Sequence, residues 1–206
     1  MMKRLLFILL ASLFVIFSCS ADDTPDDDVA EDQDPPVETP IDDQTAVTDD
    51  DTDDLPDLPV TKTETMMIEG MEEEMTLNLL QDEEADFSVY IPNDMQGGFN
   101  DGDLNVYANF GGTLNEDARF FIYEESEAEV LTTLKGKGFS TEATDTMAFN
   151  FTDTEQALVK DGFVGRIGKF THNDDDYTIG YYYPSEFGDG FSARLPLIVD
   201  SLVWHD

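Results

Sequence analysis

The order of apolar and polar positions divides the chain into three stretches. Leu5 to Phe17 is an uncharged, predominantly apolar run, residues 20 to 59 are polar and acidic, and short patterned segments begin at about Thr61. In the third stretch, Thr65 to Ile68 and Met75 to Leu79 read as two strands joined around Gly70-Met71-Glu72, an opening hairpin. Phe87 to Ile91 reads as a third strand, stopped by Pro92 and followed by a loop, QGGFNDG. Leu104 to Phe110 alternates apolar and polar residues, and Ala118 to Tyr123 is a β-rich run.

Helical signals follow. Ser126 and Glu129 have capping-box spacing, Val130, Leu131 and Leu134 share one helical face, and Gly136 and Gly138 supply the stop. Met147 to Phe151 predicts another strand, and Asp153 to Gln156 the start of a short helical turn ending at Gly162. Phe163 to Thr171 and Tyr177 to Tyr183 form a second predicted hairpin, turning through Asn173-Asp174-Asp175-Asp176. Leu195, Ile198, Val199 and Leu202 lie on one face of a closing helix, with Pro196 allowed in its first turn. The expected class is α+β, an antiparallel sheet with covering helices in a two- or three-layer sandwich, after a disordered acidic linker.

Composition explains the first two stretches. Of the 206 residues, 47 are acidic and 10 basic, a net charge of -37. Seventeen of the acidic residues lie between Asp22 and Asp57, interrupted by five prolines and by no lysine or arginine. Such a segment buries too little to fold, and self-repulsion extends it; as a coil, its ~40 residues span roughly 35 Å. Residues 19 to 60 are therefore read as a tether and residues 61 to 206 as one globular domain. The DDD and DD clusters lack the alternating ligand grammar of an ordered calcium loop, and so does the Asp101, Asp103, Asn105 series. Strong acidity repels phosphate backbones, which excludes nucleic acid as a partner.

Lys3 and Arg4 precede the apolar run, which is the secretory arrangement. Thirteen helical residues rise about 20 Å, short of a hydrocarbon core of roughly 30 Å, so residues 1 to 18 read as a signal peptide rather than a permanent span. The run ends in Ile16-Phe17-Ser18-Cys19, and Cys19 is the only cysteine. This tetrapeptide resembles the lipobox of bacterial lipoproteins. The resemblance implies that Cys19 is lipidated and becomes the first mature residue, anchoring the chain on the outer face of the cell membrane. YANFGGTLNEDA (107 to 118) and GYYYPSEFGDGF (180 to 191) are similar to segments of uncharacterised Bacillus-type lipoproteins, which carry no assigned chemistry. The order of strands and helices from Phe87 to Trp204 resembles the Mog1/PsbP-like α/β/α sandwich in layout.

Candidate chemistry is sparse. With Cys19 outside the domain, no thiolate site or disulfide is expected in it. There is no G-x-S-x-G elbow, and the glycine pairs do not have the setting of a phosphate cradle. His172 beside Asp174, Asp175 and Asp176 reads as a hairpin tip, with no metal and no cofactor expected. The aromatic residues are the remaining handle. Tyr181 and Tyr183 share a strand face, and with Phe187 and Trp204 they make a candidate binding surface for a glycan or peptide. The expectation is a non-catalytic envelope module that binds a protein or wall polymer, with divalent-cation binding and envelope hydrolysis as alternatives.

Overall fold

A computed structural model describes residues 55 to 68 and 70 to 205, and the expected signal peptide, Cys19 and most of the expected tether lie outside them. The described residues form mostly antiparallel sheet with two helices. The strands β1 (Thr61–Ile68), β2 (Met71–Leu80), β3 (Phe87–Pro92) and β11 (Val203–Trp204) make a four-stranded sheet in that order. A seven-stranded sheet contains β4 (Met95–Asn100), β5 (Asp103–Ala108), β6 (Asn115–Tyr123), β7 (Ser140–Ala143), β8 (Thr154–Val159), β9 (Phe163–His172) and β10 (Asp175–Pro184). Its order is β4-β5-β6-β10-β9-β8-β7. Helices α1 (Glu127–Gly136) and α2 (Gly188–Val199) complete the fold.

Strand periodicity sends alternate side chains to opposite faces, and the two faces of the larger sheet bury different sets. On one face Phe121, Leu158, Ile167 and Tyr182 pack with Val130 and Leu134 of α1. On the other, Val106, Phe120, Ile122 and Ile179 pack with Phe87, Val89 and Ile91 of β3 and with Phe191, Leu195 and Ile198 of α2. Further residues of α2, Ala193 and Leu197, meet Met66, Met75, Leu77 and Tyr90 from the smaller sheet. Helix α2 is thus apolar towards both sheets. All of β3 is buried, which suits its near-continuous apolar reading.

Several predicted elements change identity. Residues 96 to 100, expected within a loop, lie in strand β4, whose hairpin to β5 turns through Asp101 and Gly102, both at positive φ (51° and 79°). Gly97 permits it, because a Cβ there would sit 2.6 Å from the Asn105 carbonyl oxygen. The expected strand from Met147 to Phe151 is instead an irregular loop, and the edge strand β7 lies upstream at Ser140–Ala143. The expected helical turn after Asp153 is β8, because pairing with β9 outweighs a local capping preference. Pro196 lies in the last third of α2 rather than its first turn. It removes the α-helical donor to the Ser192 carbonyl, and the helix ends three residues later.

The chain end is fastened to β3. Ser201 Oγ accepts the Tyr90 N–H (2.9 Å) and donates to the Ile198 carbonyl (2.7 Å), and Ser88 Oγ lies 2.8 Å from His205 Nε2. At the other end, the carbonyls of Pro56 and Pro59 accept hydrogen bonds from Gln81 Nε2 (2.9 Å) and Tyr90 Oη (2.6 Å). Pro56 and Pro59 are therefore tied to the residue after β2 and to β3. Buried Arg194 joins α2 to the turn after β3: its Nε donates to both Asp94 oxygens at 2.9 and 3.0 Å, and its Nη1 to the Gly190 carbonyl at 2.6 Å. Among the described residues, no helix is long and apolar enough to cross a membrane.

Candidate functional site

The loop between β7 and β8 carries two phenylalanines, and a buried carboxylate shapes it. Glu155 points from β8 into the loop, where its oxygens accept the N–H groups of Ala148 (2.7 Å) and Phe149 (2.8 Å) and the Thr152 hydroxyl (2.8 Å). Space for this side chain comes from Gly168 opposite it on β9, where a Cβ would stand 2.9 Å from the Glu155 side chain. Three hydrogen-bond donors thus compensate the buried carboxylate for the water it has lost.

The clamped loop faces the C-terminal half of α2 across a cleft of about 300 Å³. Phe149 and Tyr181 form one wall, while Leu195, Pro196 and Val199 form the other. The Ser192 carbonyl, deprived of its helical donor by Pro196, lies in the residue that rims this cleft. Val199 also lines a second cleft of about 300 Å³, together with Phe151, Phe170, His172, Leu202 and Trp204. Ring contacts connect the two. Tyr181 meets Phe149 at 5.9 Å between centroids, Phe149 meets Phe151 at 6.2 Å, Phe151 meets Phe170 at 5.0 Å, and Phe170 meets Trp204 at 5.9 Å. His172 caps the row by stacking on Trp204 at 3.9 Å with the planes 18° apart. Phe151 is 38% exposed, so the row opens to solvent at its middle.

The four predicted binding residues separate. Tyr181 and Trp204, both half-buried, line the adjoining clefts. Tyr183 stacks beneath Tyr181 and packs against Phe191 with 6% exposure, so it belongs to the core rather than to a binding surface. Phe187 stacks on Phe110 at the N-terminal end of α2 and lines neither cleft. A shared strand face places Tyr181 and Tyr183 together, but the helix lying on that face covers one and spares the other. Phe149, Phe151 and Phe170 complete the row; read as parts of strands, they give no sequence sign of convergence.

Burial, with Tyr183 beside it, pushes the Tyr181 hydroxyl up to about 12, so it serves as a neutral hydrogen-bonding group at the cleft wall. Arg166 opposes this rise with its charge and donates to Thr146 Oγ1 at 3.0 Å. No hydrogen bond joins Ser192, Asp200 and His172 among the described residues, although all three border the clefts. The acidic hairpin turn is structural: Asn173 and Asp174 take positive φ (49° and 73°), Asp176 accepts the Thr171 hydroxyl at 2.9 Å, and His172 is occupied by Trp204. Among the described residues, no three His, Cys, Asp or Glu side chains gather as a metal-holding group.

Comparison with protein-family models, curated proteins and solved structures gives no match to this chain. The likenesses to lipoproteins and to the Mog1/PsbP-like sandwich therefore rest on the sequence alone.

Proposed function

We propose that this chain is an extracytoplasmic lipoprotein, anchored through Cys19, whose domain is a non-catalytic binding module of the cell envelope. The ligand is a flat ring of a neutral wall glycan or an aromatic side chain of an envelope peptide. The observation that carries the reading is the open row of rings from Tyr181 to Trp204, rimmed by hydrogen-bonding groups. Flat apolar rings beside a few placed polar groups suit a sugar ring or an aromatic side chain, whose faces are apolar and whose edges are polar. The net charge of -37 favours neutral or basic ligands over polyanions.

Trp204 is the only tryptophan, so its emission reports on the cleft directly. Titration of the full chain in detergent with neutral wall oligosaccharides and with an aromatic tripeptide amide is expected to change the emission saturably for one of them. Phe151→Ala should weaken that binding at least tenfold while the chain remains folded at the assay temperature, because the ring stands at the solvent edge of the row. An emission unchanged by both ligand classes, or turnover of either, would overturn the reading. The anchor is tested separately by palmitate labelling in a bacterial host, which Cys19→Ala should abolish.

A further inference from the structure

On the opposite face of the larger sheet, α1 packs over β9 and β10, and residues of β5, β6 and α1 line a polar cleft of about 230 Å³, separate from the aromatic row. Its charges are arranged unusually for so acidic a chain. Among the described residues, only Lys62 with Glu64 and Arg194 with Asp94 pair within 4.0 Å. Arg119 and Lys137 line this cleft, and so do Asp103 and Glu125, yet none of the four is joined to another by an ion pair. Opposite charges share one small cleft and are held apart.

Strand register explains the separation. Arg119 of β6 lies opposite Tyr107 of β5, whereas Asp103 begins β5 four residues earlier, a backbone separation of roughly 14 Å. The guanidinium bends back along the sheet. Its Nε donates to Asn105 Oδ1 at 2.9 Å, its Nη2 reaches Asn105 Oδ1 and Tyr123 Oη, and its Cζ lies 5.5 Å from the Tyr123 ring centre. The Tyr123 hydroxyl itself donates to Asn105 Oδ1 at 2.6 Å, which locks the three side chains together. Nη1 has no hydrogen-bond partner among the described residues. Lys137, just past α1, adds a second cation by donating to Tyr182 Oη at 3.0 Å, and Tyr182 is the strand neighbour of Arg119.

At the other end, Asp103 is half-buried among like charges. Burial raises its carboxyl above the usual range, and Glu125, Glu124 and Asp101 add to the rise, while the N–H of Glu124 opposes it. A ligand cation beside Asp103 would relieve that repulsion. The floor between the ends is apolar, with Phe121, Val130 and Leu134.

We infer that this cleft binds a small zwitterion of amino-acid or dipeptide type, its carboxylate on Arg119 and Lys137 and its ammonium on Asp103 and Glu125. A cleft below the roughly 300 Å³ lower bound for drug-sized ligands suits such a molecule. Arg119 presents its unpartnered Nη1 to a carboxylate in a fixed position because Asn105 and Tyr123 hold the rest of the guanidinium, so little order has to be gained on binding.

The test is isothermal titration of the full chain in detergent with L-alanine and L-alanyl-L-alanine. Controls are L-alaninamide, which lacks the carboxylate, N-acetyl-L-alanine, which lacks the ammonium, and inorganic phosphate. The expected result is saturable heat with one of the two zwitterions, binding at least tenfold weaker for both blocked forms, and weaker binding still for phosphate. Lys137 is exposed, so Lys137→Gln should lower zwitterion affinity at least fivefold with an unchanged melting midpoint. Asp103→Asn should do the same from the ammonium end. Absence of saturable heat with both zwitterions would overturn the inference, as would phosphate binding as tightly as they do or an affinity unchanged in Lys137→Gln.

Discussion

Replacing Glu155 by glutamine isolates what the buried carboxylate does for the aromatic cleft. The amide is nearly the same size, so no cavity opens. Oε1 can still serve Phe149 N–H and the Thr152 hydroxyl, but the second oxygen, which accepts Ala148 N–H at 2.7 Å, becomes an NH2 group facing a donor. One charge-assisted bond is lost and the other two become neutral ones. At about 1.5–3 kcal/mol for a bond to a charged group against ~1 for a neutral one, the gross loss is about 2.5–7 kcal/mol. Relief from keeping a charge out of water offsets part of this, leaving about 2–3 kcal/mol. For a domain of this size that corresponds to a fall of roughly 5–10 °C in the melting midpoint.

Two assays separate a general loss of stability from a loosened loop. Urea unfolding of the full chain gives the global change, and native-state hydrogen exchange at the Ala148 and Phe149 amides gives the local one. Both amides should lose protection by more than the global change accounts for, and ligand affinity at the aromatic row should fall with them. A variant within ~0.5 kcal/mol of the parent, with both amides protected as before, would refute the clamp. The loop would then owe its shape to the packing of Phe149 and Phe151 alone.

Arg194→Met removes the buried tie between α2 and the turn after β3 and leaves Asp94 without its cation; because Asp94 is partly exposed, unfolding free energy should fall by about 2–3 kcal/mol, read by urea denaturation. Gly180→Ala places a Cβ 2.4 Å from the Phe121 ring and 2.8 Å from the Arg166 carbonyl oxygen, so the central strand pair must yield, with an expected loss of about 1–3 kcal/mol in the same assay. The alkaline limb of stability follows from tyrosines. Burial raises the hydroxyls of Tyr123, Tyr177, Tyr181 and Tyr183, with Tyr181 pushed up to about 12. The folded chain holds these protons more tightly than the unfolded one, whose tyrosines titrate near ~10, so their contribution is complete below pH ~10 and is lost as pH rises from there to about 12. Melting midpoints recorded across that window should drop most steeply above pH ~10, and a flat profile would contradict the assignment.

What the sequence by itself determined is local or compositional. Alternation placed both long hairpins, β1–β2 and β9–β10, because a half-buried strand writes its period into the chain and Asn173-Asp174 accept the positive φ of a tight turn. The spacing of Val130 and Leu134 likewise placed α1, whose two residues pack on the sheet as a helical face requires. Tertiary contacts decided the rest. QGGFN has little strand propensity, and it is a strand because a hairpin partner lies beside it and Gly97 lets the backbones approach. Residues 154 to 159 became β8 for the same reason of pairing. The site was least legible, since Tyr181 and Tyr183 share a strand face and differ only in what α2 covers. The row from Tyr181 to Trp204 and the charge-separated cleft under α1 join residues far apart in the chain, brought together by sheet order and register. One-dimensional periodicity carries which face a side chain takes; only packing carries which side chains meet.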